Sequence, residues 1–147
     1  ELAKDLLEQI VFEARKSEYV DVKSGVSARL SITAYENLLS TAERRLLLSG
    51  DTRTSIRMSD FEGIIPAITG KIELVYEGEQ EGAYNVALLL IGNAIKSLSP
   101  AFFPKIQKIE KKSDQVSYDE IVSWFFNHSE NFEIMDDLNQ ENYESMV

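Results

Sequence analysis

Gly25-Val-Ser-Ala-Arg-Leu-Ser-Ile-Thr-Ala-Tyr-Glu-Asn-Leu-Leu-Ser-Thr-Ala-Glu-Arg-Arg-Leu-Leu-Leu-Ser-Gly50 is the stretch on which the fold turns. Leu30, Ala34, Leu38, Ala42 and Leu46 fall every four residues, flanked by Tyr35, Leu39 and Leu47, while Glu36, Glu43 and Arg44 lie outside the stripe. That spacing predicts a helix from Ala28 to about Leu48, on the order of 30 Å long at ~1.5 Å per residue. Ser27 stands where an N-cap belongs, and Gly50 where a helix-ending glycine does.

Amphipathic patterns continue on both sides. Leu2, Leu6, Leu7, Ile10, Val11 and Ala14 predict a helix over 2–16. Residues 18–25, with Asp21, Ser24 and Gly25, form a loop. After the polar loop 51–57, Ser59 and Glu62 are spaced as a capping box for a helix whose apolar positions are Phe61, Ile64, Ile65, Ile68 and Ile72. Pro66 removes a backbone donor there and predicts a kink or a break into two short helices. Ile72–Tyr76 allows a short strand as the lesser alternative, ahead of an acidic turn over 77–82. From Ala83 to Leu98 the chain is apolar almost all round, which predicts a central helix covered on most sides. The fold class expected is all-α, a helical bundle.

Charge divides the chain. Residues 1–112 hold 16 acids and all 15 bases, whereas residues 113–147 hold 9 acids and no base. Lys105, Lys108, Lys111 and Lys112, after Pro100 and Pro104, form a polar connector, so the boundary falls near residue 105. A helical body, 1–104, is expected to precede a linker and an acidic two-helix extension, 105–147. In the extension Ser117 and Glu120 are spaced as a second capping box before Ile121, Val122, Trp124, Phe125 and Phe126, and Asn139 is placed to cap a last turn or two. These aromatics need cover, expected from the 83–98 helix, with Asp136, Asp137, Glu141 and Glu144 facing outward toward a basic partner.

Several function classes drop out. With no cysteine there is no disulfide framework, thiolate zinc site or cysteine nucleophile, and the chain suits a reducing, cytoplasmic setting. His128 is the sole histidine, best explained as a polar residue at a helix end, and no metal site is expected. The longest uninterrupted apolar run, Val86–Ile91, does not reach membrane-spanning length. An anionic tail disfavours nucleic acid, whose binding relies on Lys and Arg. Carboxylate clusters at 77, 79 and 81 and at 136–137 are explained as solvated faces. The chain begins with Glu and opens directly into a helix with no basic leader, which predicts a segment of a longer chain rather than a signal peptide.

One constellation stands out: Gly25, the capping Ser27 and Arg29 in the first turn of the long helix. Such an arginine, beside unpaired backbone donors, is placed to meet an anion such as a phosphate. On pattern alone the ordinary exposed arginine is the better reading, since an arginine in a helix first turn is common.

Gly25-Val26-Ser27-Ala28-Arg29, the long helix with Ala42-Glu43-Arg44-Arg45, and Met58-Ser59-Asp60-Phe61 leading to Ile65-Pro66-Ala67 together resemble the C-terminal lid of AAA+ ATPases of the MoxR and magnesium-chelatase I-subunit group. The run Ala67–Glu79 looks like bacterial magnesium chelatases. Position 28 is Ala where that pattern usually has Pro, and the Walker and arginine-finger elements of the group would lie upstream. The resemblance implies that Arg29 is the sensor-2 arginine, and that Gly25, Ser27 and Arg29 contribute to a nucleotide site. It further implies ATP and Mg²⁺ in the parent protein, with none held tightly by these residues alone. The partners it implies are the AAA+ core of the same chain, neighbouring subunits of a ring, and a von Willebrand-type protein. The alternative is a free-standing helical adaptor with an acidic partner-binding tail. An ATPase core upstream of residue 1 would favour the first.

Overall fold

The computed structural model describes residues 1–21, 23–103, 119–128 and 138–146. Helix α1 spans Leu2–Lys16 and buries the stripe Leu6, Leu7, Ile10, Val11 and Ala14. Helix α2 spans Arg29–Ser49 and buries Leu30, Ala34, Leu38 and Ala42. It ends where Gly50 adopts a left-handed conformation, its N–H bonded to Leu46 C=O. Both helices follow the apolar spacing because only that face has neighbours to cover it.

Beyond the loop, Met58–Ile64 forms a 3-10 helix, and α3 follows at Ile65–Thr69 with Pro66 in its first turn. The break into two short helices is therefore as expected, since proline fits a helix start. The Ser59/Glu62 capping box is not formed. Instead the Arg57 N–H donates to Asp60 Oδ2 at 2.7 Å, because the tighter 3-10 turn begins two residues earlier and places Asp60 at the reach-back position.

The alternative strand at 72–76 is reduced to one antiparallel bridge, Val20 with Leu74. The acidic turn expected over 77–82 is a short helix, α4 (Tyr76–Glu81). Glu77 and Glu79 in its first turn favour the positive end of the helix dipole. Gly78 is buried against the Tyr19 carbonyl, an approach that leaves no space for a Cβ.

Helix α5 spans Ala83–Phe102 and closes with Phe103 N–H on Ser99 C=O, running through Pro100 rather than stopping at Leu98. It packs chiefly on α1, and also on α3 and α4, while α3 lies against both α2 and α5. The expectation that α5 is covered on most sides is overturned. Val86, Ala87, Leu90, Ile91 and Ala94 are buried, but Leu88 and Leu89 keep over two fifths of their surface exposed, since among the described residues no further helix packs on that side. By length and composition α5 is long and apolar enough to cross a bilayer, with its Val86–Ala94 face committed to the core.

In the extension, α6 spans Asp119–His128 and α7 spans Gln140–Met146. Asn139 caps α7 as expected, its Oδ1 accepting the Asn142 N–H at 2.8 Å. Among the described elements α6, which carries Trp124, makes no contact with α5. Trp124 is 44% exposed, with Phe125 at 48% and Phe126 at 85%. The tail is attached instead through α7, described below. The expected connector 105–113, the Ser117 cap, Asp136 and Asp137 lie outside the described residues.

Candidate functional site

Two polar constructions occupy opposite ends of α2. At its N-terminal end the loop after α1 is tied down by backbone bonds: Asp21 N–H to Glu73 C=O at 2.8 Å and Val75 N–H to Tyr19 C=O at 3.1 Å. The Asp21 carboxylate accepts from Lys23 N–H and Ser24 Oγ. Those two bonds, the backbone one foremost, hold its carboxyl below the ordinary range. Gly25, at φ +71°, then turns the chain in the left-handed region, where a Cβ is strained. Ser27 Oγ accepts the Arg29 N–H at 3.2 Å, and Leu30 directly after Arg29 is 1% exposed.

The structure thus brings Gly25, Ser27 and Arg29 together at one corner. The root of Arg29 is held by the Ser27 bond and the Leu30 anchor, while its side chain is exposed. Among the described residues its guanidinium has no hydrogen-bond or ion-pair partner. The helix is assigned from Arg29, one residue later than expected, with Ala28 already in helical conformation.

The other construction was missed in the sequence. Arg45 is partly buried on α2, its side chain 11% exposed, and donates to Asp60 through Nε at 3.2 Å and Nη2 at 2.8 Å. It also donates to Thr54 Oγ1 at 2.7 Å and Ser55 C=O at 2.8 Å, so one guanidinium clamps the loop 51–57 from behind. Arg57, 3% exposed, lies beside it with its guanidinium 4.0 Å from the centre of the Tyr143 ring. Burial, and then the neighbouring Arg45, press Arg57 below its ordinary value. A signal for this cluster existed: Arg45 falls seven residues after Leu38 and three after Ala42, on the apolar stripe itself. A charge at such a position needs a buried partner.

Helix α7 completes the cluster. Gln140 is 5% exposed, its backbone N–H donating to Asp51 Oδ2 at 2.8 Å. Its side-chain Nε2 donates to Ser55 Oγ and Glu144 Oε1, both at 2.9 Å, and its Oε1 accepts from Thr54 Oγ1 at 3.3 Å. Glu144, expected to face a basic partner, lies 3.5 Å from Arg53 of the same chain.

The Ser49 hydroxyl first, and then the Gln140 N–H, hold the Asp51 carboxyl below its ordinary value of 3.8. A carboxyl depressed in the folded state stabilises the docked form above its unfolded value, and that contribution is lost as pH falls through the depressed value. Docking of α7 is therefore expected to loosen below about pH 4. Tyr143 ring resonances followed by NMR should move there before the bundle unfolds; constant shifts down to global unfolding would contradict this.

Among the described residues no group of three or more acids or histidines is arranged to hold a metal ion. No protein-family model, curated protein or solved structure matches the chain.

Proposed function

We propose that this all-α bundle is the helical lid of a AAA+ motor of the MoxR and magnesium-chelatase I-subunit type, with Arg29 as its sensor-2 arginine. The observation that carries the reading is the Gly25–Arg29 corner: a rigid backbone turn that fixes the root of one arginine and leaves its planar fork exposed at the start of the longest helix. In this reading ATP and Mg²⁺ are held by the AAA+ core of the same parent chain, and the lid closes on the γ-phosphate through Arg29. A preorganised cation there stabilises the charge developed in phosphoryl transfer and makes lid position depend on the nucleotide. The work so driven is metal insertion or remodelling of a protein complex within a ring of such subunits, with a von Willebrand-type protein as partner and a cytoplasmic setting.

The test is ATP turnover by the parent chain carrying Arg29→Ala. Loss of one preorganised charge donor is expected to slow hydrolysis about 10²-fold or more. Because Arg29 is exposed, helical content and melting should be unchanged. Arg29→Lys is expected to restore little, since a point charge replaces a fork able to make two parallel bonds. Normal turnover by the Ala variant would reduce Arg29 to a surface residue. The exposed Trp124, Phe125 and Phe126 on α6 favour a second reading, a helical adaptor that binds other proteins through its tail.

A further inference from the structure

The loop 51–57 and α7 meet through a polar contact in which a single glutamine amide is buried and satisfied on both its donor and acceptor sides. A buried amide left without partners is costly, so the loop, which takes one Gln140 Nε2 proton on Ser55 and donates to Oε1 from Thr54 while Glu144 of α7 takes the other proton, discriminates against side chains that cannot make those bonds. Asp51 reads the backbone N–H of Gln140. One turn further along α7, the Tyr143 ring faces the Arg57 guanidinium, and Glu144 approaches Arg53.

The receiving side is prearranged. Arg45 holds Thr54 and Ser55 from the bundle side through bonds of 2.7 and 2.8 Å, and Asp60 fixes both Arg45 and the Arg57 N–H. The loop therefore loses little conformational freedom when α7 arrives. By contrast α7 has only seven residues, too few to be a stable helix by itself, and it joins the body through this loop alone among the described elements.

We propose that the loop 51–57 is a recognition socket for an acidic protein helix that begins with glutamine and carries tyrosine three and glutamate four residues later, and that α7 is its tethered internal ligand. A protein partner presenting the same chemistry displaces α7. Its release frees the end of the chain that follows the exposed aromatic helix α6. The socket stands apart from the Gly25–Arg29 corner, so this proposal does not depend on the lid reading.

As part of the same chain, α7 competes for the socket at an effective concentration on the order of 1 mM. For an intrinsic Kd on the order of 0.1 mM, that occupancy weakens a free competitor about tenfold. The experiment uses a fluorescent peptide spanning Leu138–Val147 and three full-length chains: unmodified, Gln140→Ala/Tyr143→Ala, and that pair with Asp51→Ala added. The double variant should bind the peptide about tenfold more tightly than the unmodified chain, and Asp51→Ala should remove the gain. Hydrogen exchange at α1, α2 and α5 should be the same in all three, with protection of α7 lost in both variants. No peptide binding to the double variant, equal binding to the double variant and the unmodified chain, or indifference to Asp51→Ala would each overturn the proposal.

Discussion

Asp60→Ala is expected to destabilise the chain by about 3–5 kcal/mol, the range for removing one partner of a buried ion pair. Asp60 is 2% exposed and accepts three hydrogen bonds, two from the Arg45 guanidinium and one from the Arg57 backbone. Its removal leaves Arg45 and Arg57 side by side with the nearest negative charge gone, and it also removes the bond that starts the 3-10 helix. Denaturant unfolding followed by circular dichroism measures the loss, and the melting temperature should fall by about 10 °C or more. Converting the pair together, with Arg45→Met and Asp60→Leu, should cost less than Asp60→Ala alone, because no unpaired buried charge remains. A change below about 1 kcal/mol for Asp60→Ala would show that the pair is solvated in solution.

The second large effect is expected at Ile68. It is 0% exposed, in the five-residue α3 that lies against both α2 and α5, so its side chain belongs to the junction of the bundle. Ile68→Ala removes three carbons from a place where two long helices limit collapse, and should cost about 2–5 kcal/mol. Ile68→Val removes one, and should cost about 0.5–1.5 kcal/mol. The same unfolding measurement checks both, and the ratio between them is the informative quantity. Equal small losses would mean that α3 adjusts freely, contrary to its packing against both helices.

Most of the bundle was legible because its helices carry their own evidence. The four-residue spacing from Leu30 to Leu46, the stripe of α1, the glycine at 50 and Asn139 ahead of α7 each express a rule confined to a few neighbouring residues. What was not legible depended on distant parts of the chain. The covering of α5 could not be read from its composition, because exposure of Leu88 and Leu89 reflects how many other helices reach that side. Ser59 and Glu62 match a capping box as well as any pair, but the 3-10 turn that places Asp60 in that role is drawn in by Arg45, fifteen residues earlier. The turn at Gly25 and the Ser27 bond to the Arg29 N–H are local, and their geometry was legible for that reason. The Gln140 socket joins positions some 85 residues apart, and no spacing rule connects them.

The packing of α1 on α5 also orders events at the ribosome. The apolar stripe of α1 is complete once Lys16 has been made, yet its chief cover does not exist until Phe102 has followed. At ~5–20 residues per second that interval is on the order of 10 s. Throughout it Leu6, Leu7, Ile10 and Val11 have no native neighbour from α5, and other nascent chains compete for them. Lys4, Asp5, Glu8, Glu13 and Lys16, set along the same helix, then act as gatekeepers whose charge opposes association until α5 arrives.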